Sequence, residues 1–92
     1  MAEDPIRRRL VVRGQVQGVF FRDSTRGQAE RAGVGGWVRN RDDGTVEVVL
    51  EGPKDGVDDV IAFCRQGPER ARVREVRVTE EAPEGLSSFE VD

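Results

Sequence analysis

The run Gly14-Gln15-Val16-Gln17-Gly18-Val19 leads into Phe20-Phe21-Arg22, and these residue types suit chemistry on an anion better than any others in the chain. Two glycines four residues apart let a backbone turn with several N–H groups inward. A helix that follows adds unpaired amides and the positive end of its dipole. Such a loop can hold a phosphate; it equally serves a strand that needs glycine only to turn into a helix. Arg22 falls in the first turn of that helix, where a cation opposes the dipole and adds nothing to helix stability. Its planar fork of five donors fits a phosphoryl group in bidentate fashion, while a pair with adjacent Asp23 or plain solvent exposure accounts for it as well. Asn40 offers both an acceptor and a donor, which suits orienting a water, and it is also an ordinary residue for a strand end beside a hairpin.

Other reactive types exclude more than they offer. With no histidine in the chain, a catalytic triad and a histidine base are ruled out. A single cysteine, Cys64, leaves no internal disulfide and no Cys/His cluster for zinc. Its position on an apolar helical face reads as a small buried hydrophobe rather than a nucleophile. Asp42, Asp43, Asp55, Asp58 and Asp59 lack the spacing of a calcium loop and read as a turn and a solvated helix face. Trp37 reads as core or as a lid over sheet edges. Arg7-Arg8-Arg9 reads as a frayed basic run, so residues 1–7 are set apart as an N-terminal arm from a single domain over residues 8–92.

The elements that must position Arg22 and Asn40 follow from periodicity. Arg9-Leu10-Val11-Val12-Arg13 is a short β-branched strand that stops at Gly14. Phe21, Thr25, Ala29 and Ala32 recur at helical spacing up to Gly33, which defines a first helix despite Gly27. The segments 37–41 and 46–50 flank Asp42-Asp43-Gly44-Thr45 and form a hairpin, Asp-Gly supplying the positive φ of a tight turn. Val57, Val60, Ile61 and Cys64 line one face of a second helix between Gly52-Pro53 and Gly67-Pro68. Residues 73–80 alternate as a strand whose inward face is ambiguous, and Phe89 and Val91 mark a short last strand. The order βαββαβ predicts a ferredoxin-like α/β sandwich of the α+β class, a mostly antiparallel sheet with two helices on one face.

Ninety-two residues fill one core and exclude a multi-domain enzyme. No apolar run approaches the roughly 18 residues of a membrane span, and the start carries acids where a secretory signal carries bases, so a cytoplasmic protein without a membrane partner is expected. The net charge of −3 hides an asymmetry: residues 1–41 hold nine arginines against four acids, and residues 42–92 hold six bases against fourteen acids. Fourteen of the fifteen bases are arginine, which reflects either anion recognition or a codon or thermal bias. The acidic total and the near absence of lysine weigh against a nucleic-acid footprint.

Gly14-Gln15-Val16-Gln17-Gly18-Val19-Phe20-Phe21-Arg22, then Thr25 and Ala29, Gly36-Trp37-Val38-Arg39-Asn40, Asp43-Gly44-Thr45-Val46-Glu47 and Gly67-Pro68 resemble the acylphosphatase family over roughly residues 8 to 91. Gln15 and Asp23-Ser24 depart from its usual residues, whereas the motif arginine and asparagine are present. The resemblance implies hydrolysis of a small-molecule acyl phosphate to a carboxylate and inorganic phosphate, without metal or cofactor. It makes Arg22 and Asn40 the catalytic pair. Arg22 would bind the phosphoryl group together with Gln15, Val16, Gln17, Gly18 and Val19, Asn40 would orient the attacking water, and inorganic phosphate or sulfate would compete for the loop. A monomer is expected. The competing reading is a non-catalytic anion- or RNA-binding module on the same fold, against which stands the absence of tyrosine and of an evident aromatic platform. A third is an interaction domain like the acylphosphatase-like portions of larger maturation proteins.

Overall fold

The computed structural model describes residues 4–92. Its elements are β1 (Ile6–Gln15), α1 (Phe21–Ala32), β2 (Gly35–Asn40), β3 (Val46–Gly52), α2 (Lys54–Gln66), β4 (Arg72–Glu81) and β5 (Phe89–Val91). They form one five-stranded sheet in the order β4-β1-β3-β2-β5. All neighbours are antiparallel except β2 and β5, which run parallel with Val38 beside Val91. This is the ferredoxin-like α+β fold.

The pleat divides the sheet into two unlike faces. Leu10, Val12, Val38, Val46, Val48 and Leu50 lie in register on one face and are buried with Phe21 and Ala29 of α1 and Val57, Val60 and Cys64 of α2. On the opposite face the register brings Arg7 and Arg9 of β1 beside Glu51, Val49 and Glu47 of β3, with Glu81 on β4 and Trp37 and Arg39 on β2. Helices cover only the first face, so the second is closed by charges paired to one another. Arg7 bonds Glu51 at 2.5 Å and Glu81 at 2.8 Å, Arg9 joins Glu81 and Glu47, and Arg39 reaches Glu47 at 2.8 Å. The Arg9 and Arg39 guanidiniums both lie over the Trp37 ring, at 5.5 and 5.0 Å from its centroid. Trp37 is therefore neither helix-side core nor an edge lid.

The basic run Arg7-Arg8-Arg9, expected as a frayed arm, is strand. β1 begins at Ile6, and Arg7 is 4% exposed because two carboxylates compensate its desolvation. The boundary between arm and domain drawn after residue 7 therefore falls inside β1, while Met1–Glu3 lie outside the described residues. The ambiguous face of β4 has a structural cause as well. Val76 and Val78 pack on the core from one phase of the strand and Val73 packs on it from the other, because a bulge opposite Arg13 and Gly14 inserts an extra residue, Arg74. A Cβ at Gly14 would stand 2.0 Å from the Arg72 carbonyl oxygen, so only glycine fits at this bulge.

Candidate active site

Gly18, at φ 72° with open space around it, supplies the turn between β1 and α1. Phe20 then takes φ 63° and ψ 21°, the sole non-glycine residue of positive φ among the described residues. It is the residue that caps α1, and no side chain caps the helix in its place. The first three amides of α1 consequently have no partner within the helix. Among the described residues, no main-chain hydrogen bond is donated by the N–H groups of Gln17, Gly18, Val19 or Phe20. The result is a row of unspent donors at the positive end of a helix dipole.

Arg22, in the first turn of α1, is aimed by the far end of the chain. Its Nη1 donates to the main-chain oxygen of Asp92 at 2.6 Å, and the Asp92 N–H donates to the Val38 carbonyl at 2.9 Å, extending the β2–β5 pairing. Asn40 ends β2, the same strand, and so comes to the Arg22 side of the sheet. Together with Val16, Gly18, Phe20, Phe21, Asp23 and Val91, Arg22 and Asn40 line one cleft of about 290 Å³. Asp23 does not bind Arg22; its cation is Arg26, at 3.9 Å.

The remaining loop residues have different placements. Val16 is buried under the cleft, and Val19 packs against the core. Gln15 is the last residue of β1, paired with Arg72, and it lines a separate depression with Arg13, Gly14 and Arg74. The Gln17 side chain turns to the hairpin: its Nε2 donates to the main-chain oxygens of Arg41 at 2.8 Å and Thr45 at 2.9 Å. That turn is held from within by Asp43, whose Oδ1 accepts from the hydroxyl and the N–H of Thr45, bonds that lower the Asp43 pKa.

Two participants left little trace in the sequence. The Arg22–Asp92 bond spans 70 positions, which no local pattern encodes. The exposure of Phe20 had a weak signal, since Phe20 and Phe21 are adjacent and a helix start can bury only one of them; Phe21 is buried and Phe20 is 68% exposed. Cys64 is buried on α2, and burial pushes its thiol up to about 12, which leaves it without a nucleophilic role. Among the described residues, no group of three or more Cys, Asp or Glu is placed to hold a metal ion, and no helix is long and apolar enough to cross a membrane.

Acylphosphatases share both this sequence pattern and this fold. The family model for Acylphosphatase matches residues 8–91. An acylphosphatase of Gloeobacter violaceus is 55% identical over 86 residues, covering 94% of this chain and 92% of its relative. One of Rubrobacter xylanophilus is 57% identical over 84 residues, covering 90% and 76%. The structure of an acylphosphatase from Coxiella burnetii superposes with a TM-score of 0.92 at 37% identity, over 97% of this chain and 94% of that one. Matched over nearly its whole length in sequence and in fold, the chain belongs to the acylphosphatase family and is a hydrolase of acyl phosphates.

Proposed function

We propose that the cleft performs this hydrolysis by holding the phosphoryl group between the Arg22 guanidinium and the amides of the loop from Val16 to Val19, while Asn40 orients the attacking water. The observation that carries this division of labour is that Arg22 and Asn40 line the same cleft, beside Val16 and Gly18 of a loop whose amides from Gln17 to Phe20 are unspent. Gln15 contributes by ending β1, and Gln17 by fixing the loop to the hairpin.

The chemistry asks for little more. Water attacks phosphorus, the bond from phosphorus to the acyl oxygen breaks, and the products are a carboxylate, inorganic phosphate and a proton. The leaving carboxylate has a pKa of about 4, so no general acid is needed. A loose phosphoryl-transfer transition state is catalysed chiefly by positioning and by donors aimed at the charged oxygens. Arginine and amides supply the donors, and the Asn40 amide has an acceptor for a water proton and a donor for a phosphate oxygen. All these groups come from one chain, which is what a monomeric enzyme needs, and we place its work in the cytoplasm, where an unpaired cysteine such as Cys64 is ordinary.

Hydrolysis of benzoyl phosphate, followed with and without a chelator and against rising inorganic phosphate or sulfate, tests this reading. Expected are an unchanged rate with chelator and inhibition competitive with substrate by either anion. A chelator loss restored by magnesium would overturn the metal-free route, and noncompetitive inhibition would put the anion elsewhere than between Arg22 and the loop.

A further inference from the structure

Phe20 combines two local costs. A non-glycine residue in the left-handed region is disfavoured by about 1–2 kcal/mol, and its ring is 68% exposed, the only large hydrophobic side chain so exposed among the described residues. Strain of this kind persists where surrounding structure imposes it, and it concentrates at ligand sites. The conformation opens the amides ahead of α1, which accounts for the backbone but not for a phenyl ring. Gly or Asn would adopt the same φ with less strain and no exposed apolar surface.

Phe20 is one of the residues that line the cleft holding Arg22 and Asn40. Arg22 is the one cation there and is committed to the phosphoryl group, and the other charged side chain is the Asp23 carboxylate. Within the cleft a negatively charged acyl group would find no cation besides Arg22, the Arg39 and Arg41 side chains lining the neighbouring depression beyond Asn40, whereas an apolar one would meet Phe20, Val16 and Val91. We propose that Phe20 is the specificity-determining residue for the acyl half of the substrate, favouring acyl phosphates with aromatic or extended aliphatic acyl groups. This rests on the hydrolytic reading above and adds to it the side on which the leaving carboxylate lies. One apolar contact in such a site discriminates by roughly 10-fold or more.

The test compares kcat/KM for benzoyl phosphate and acetyl phosphate in the unaltered enzyme, Phe20→Asn and Phe20→Leu, with the inhibition constant of inorganic phosphate and a thermal melt for each. Asparagine tolerates the positive φ, so Phe20→Asn removes the ring while keeping the turn. The expected result is a benzoyl-to-acetyl ratio reduced about tenfold in Phe20→Asn and largely kept in Phe20→Leu, with phosphate inhibition shifted less than twofold. An unchanged ratio overturns the proposal and leaves hydrolysis untouched. Equal losses on both substrates with weakened phosphate binding also overturn it, since Phe20 would then act only by shaping the loop. An unaltered enzyme that turns over neither substrate removes the hydrolytic reading, and this one with it.

Discussion

The side-chain amide of Gln17 lies 2.9 Å from the main-chain oxygen of Thr45, and the same nitrogen is 2.8 Å from that of Arg41, so the loop after β1 is fastened to the turn after Asn40. Both carbonyls keep a partner without Gln17: Thr45 also accepts from the Arg41 N–H, and Arg41 from the Gly44 N–H. Gln17→Ala therefore costs stability only about 1 kcal/mol. Its effect falls on the site, with a KM and a phosphate inhibition constant raised on the order of tenfold, because a phosphate cradle tethered at one end must be ordered by the ligand. Gln17→Glu sets a carboxylate against two carbonyl oxygens and is the more severe change. Steady-state kinetics and a melt on each variant check this, and an unaltered KM would relieve Gln17 of the role.

For Arg22→Lys, kcat/KM for benzoyl phosphate falls on the order of 10² or more, since an ammonium offers a point charge where a planar fork is needed. The melt moves little, because the side-chain hydrogen bond from Arg22 to Asp92 is exposed. Near-normal turnover in the lysine variant would rule out bidentate binding.

In Asn40→Ala, phosphate still binds while kcat falls on the order of 10² or more, the orientation of the nucleophile being lost. Calorimetry with phosphate beside kinetics separates the two effects. Joint loss of binding and turnover in a folded variant would make Asn40 a phosphate ligand.

Acid stability should follow the open face of the sheet. Burial works to raise the pKa of Glu47 and of Glu51, but for Glu47 the Arg39 and Arg9 guanidiniums outweigh it. For Glu51 the outweighing groups are Arg7 and the N–H groups of Glu84, Gly85 and Leu86. Hydrogen bonds from Arg9 and Arg7 lower the Glu81 pKa as well. All three carboxyls are thus held below the ordinary glutamate value, which the unfolded chain keeps. Their stabilisation is therefore complete above that value and lost as pH falls through the folded values. Urea midpoints should hold level from neutrality to about pH 5 and drop below about 4.5. Glu51→Ala should cost about 3 kcal/mol at neutral pH by leaving a buried guanidinium short of a partner, and a variant with the parent acid profile would contradict this.

Much of the architecture was legible because apolar spacing determines which face is buried. Phe21, Thr25 and Ala29 define α1, Val57, Val60 and Cys64 define α2, and Asp43-Gly44 marks the hairpin turn. Local pattern misled where long-range pairing decided the outcome. Arg7 reads as a solvated arm until Glu51 and Glu81, both remote in sequence, are brought to it. Val73 looks out of phase until the bulge at Arg74 is known. Around the cleft the motif singled out Arg22 and Asn40, but not the Asp92 oxygen that holds Arg22 nor the task of the Gln17 side chain. Both depend on contacts across the whole chain.

β4 runs for ten residues at one margin of the sheet and β5 for three at the other. An unpaired strand margin is a template on which a second molecule can add a strand, the first step towards aggregation. Here β5 is too short to seed such growth, and β4 carries Arg72, Arg74, Arg77, Glu75, Glu80 and Glu81 along its length. A like strand docking parallel and in register would set arginine against arginine and glutamate against glutamate. With the Arg74 bulge also interrupting its regular pleat, the β4 margin is charged and irregular rather than flat and apolar, the kind of edge on which strand addition is disfavoured.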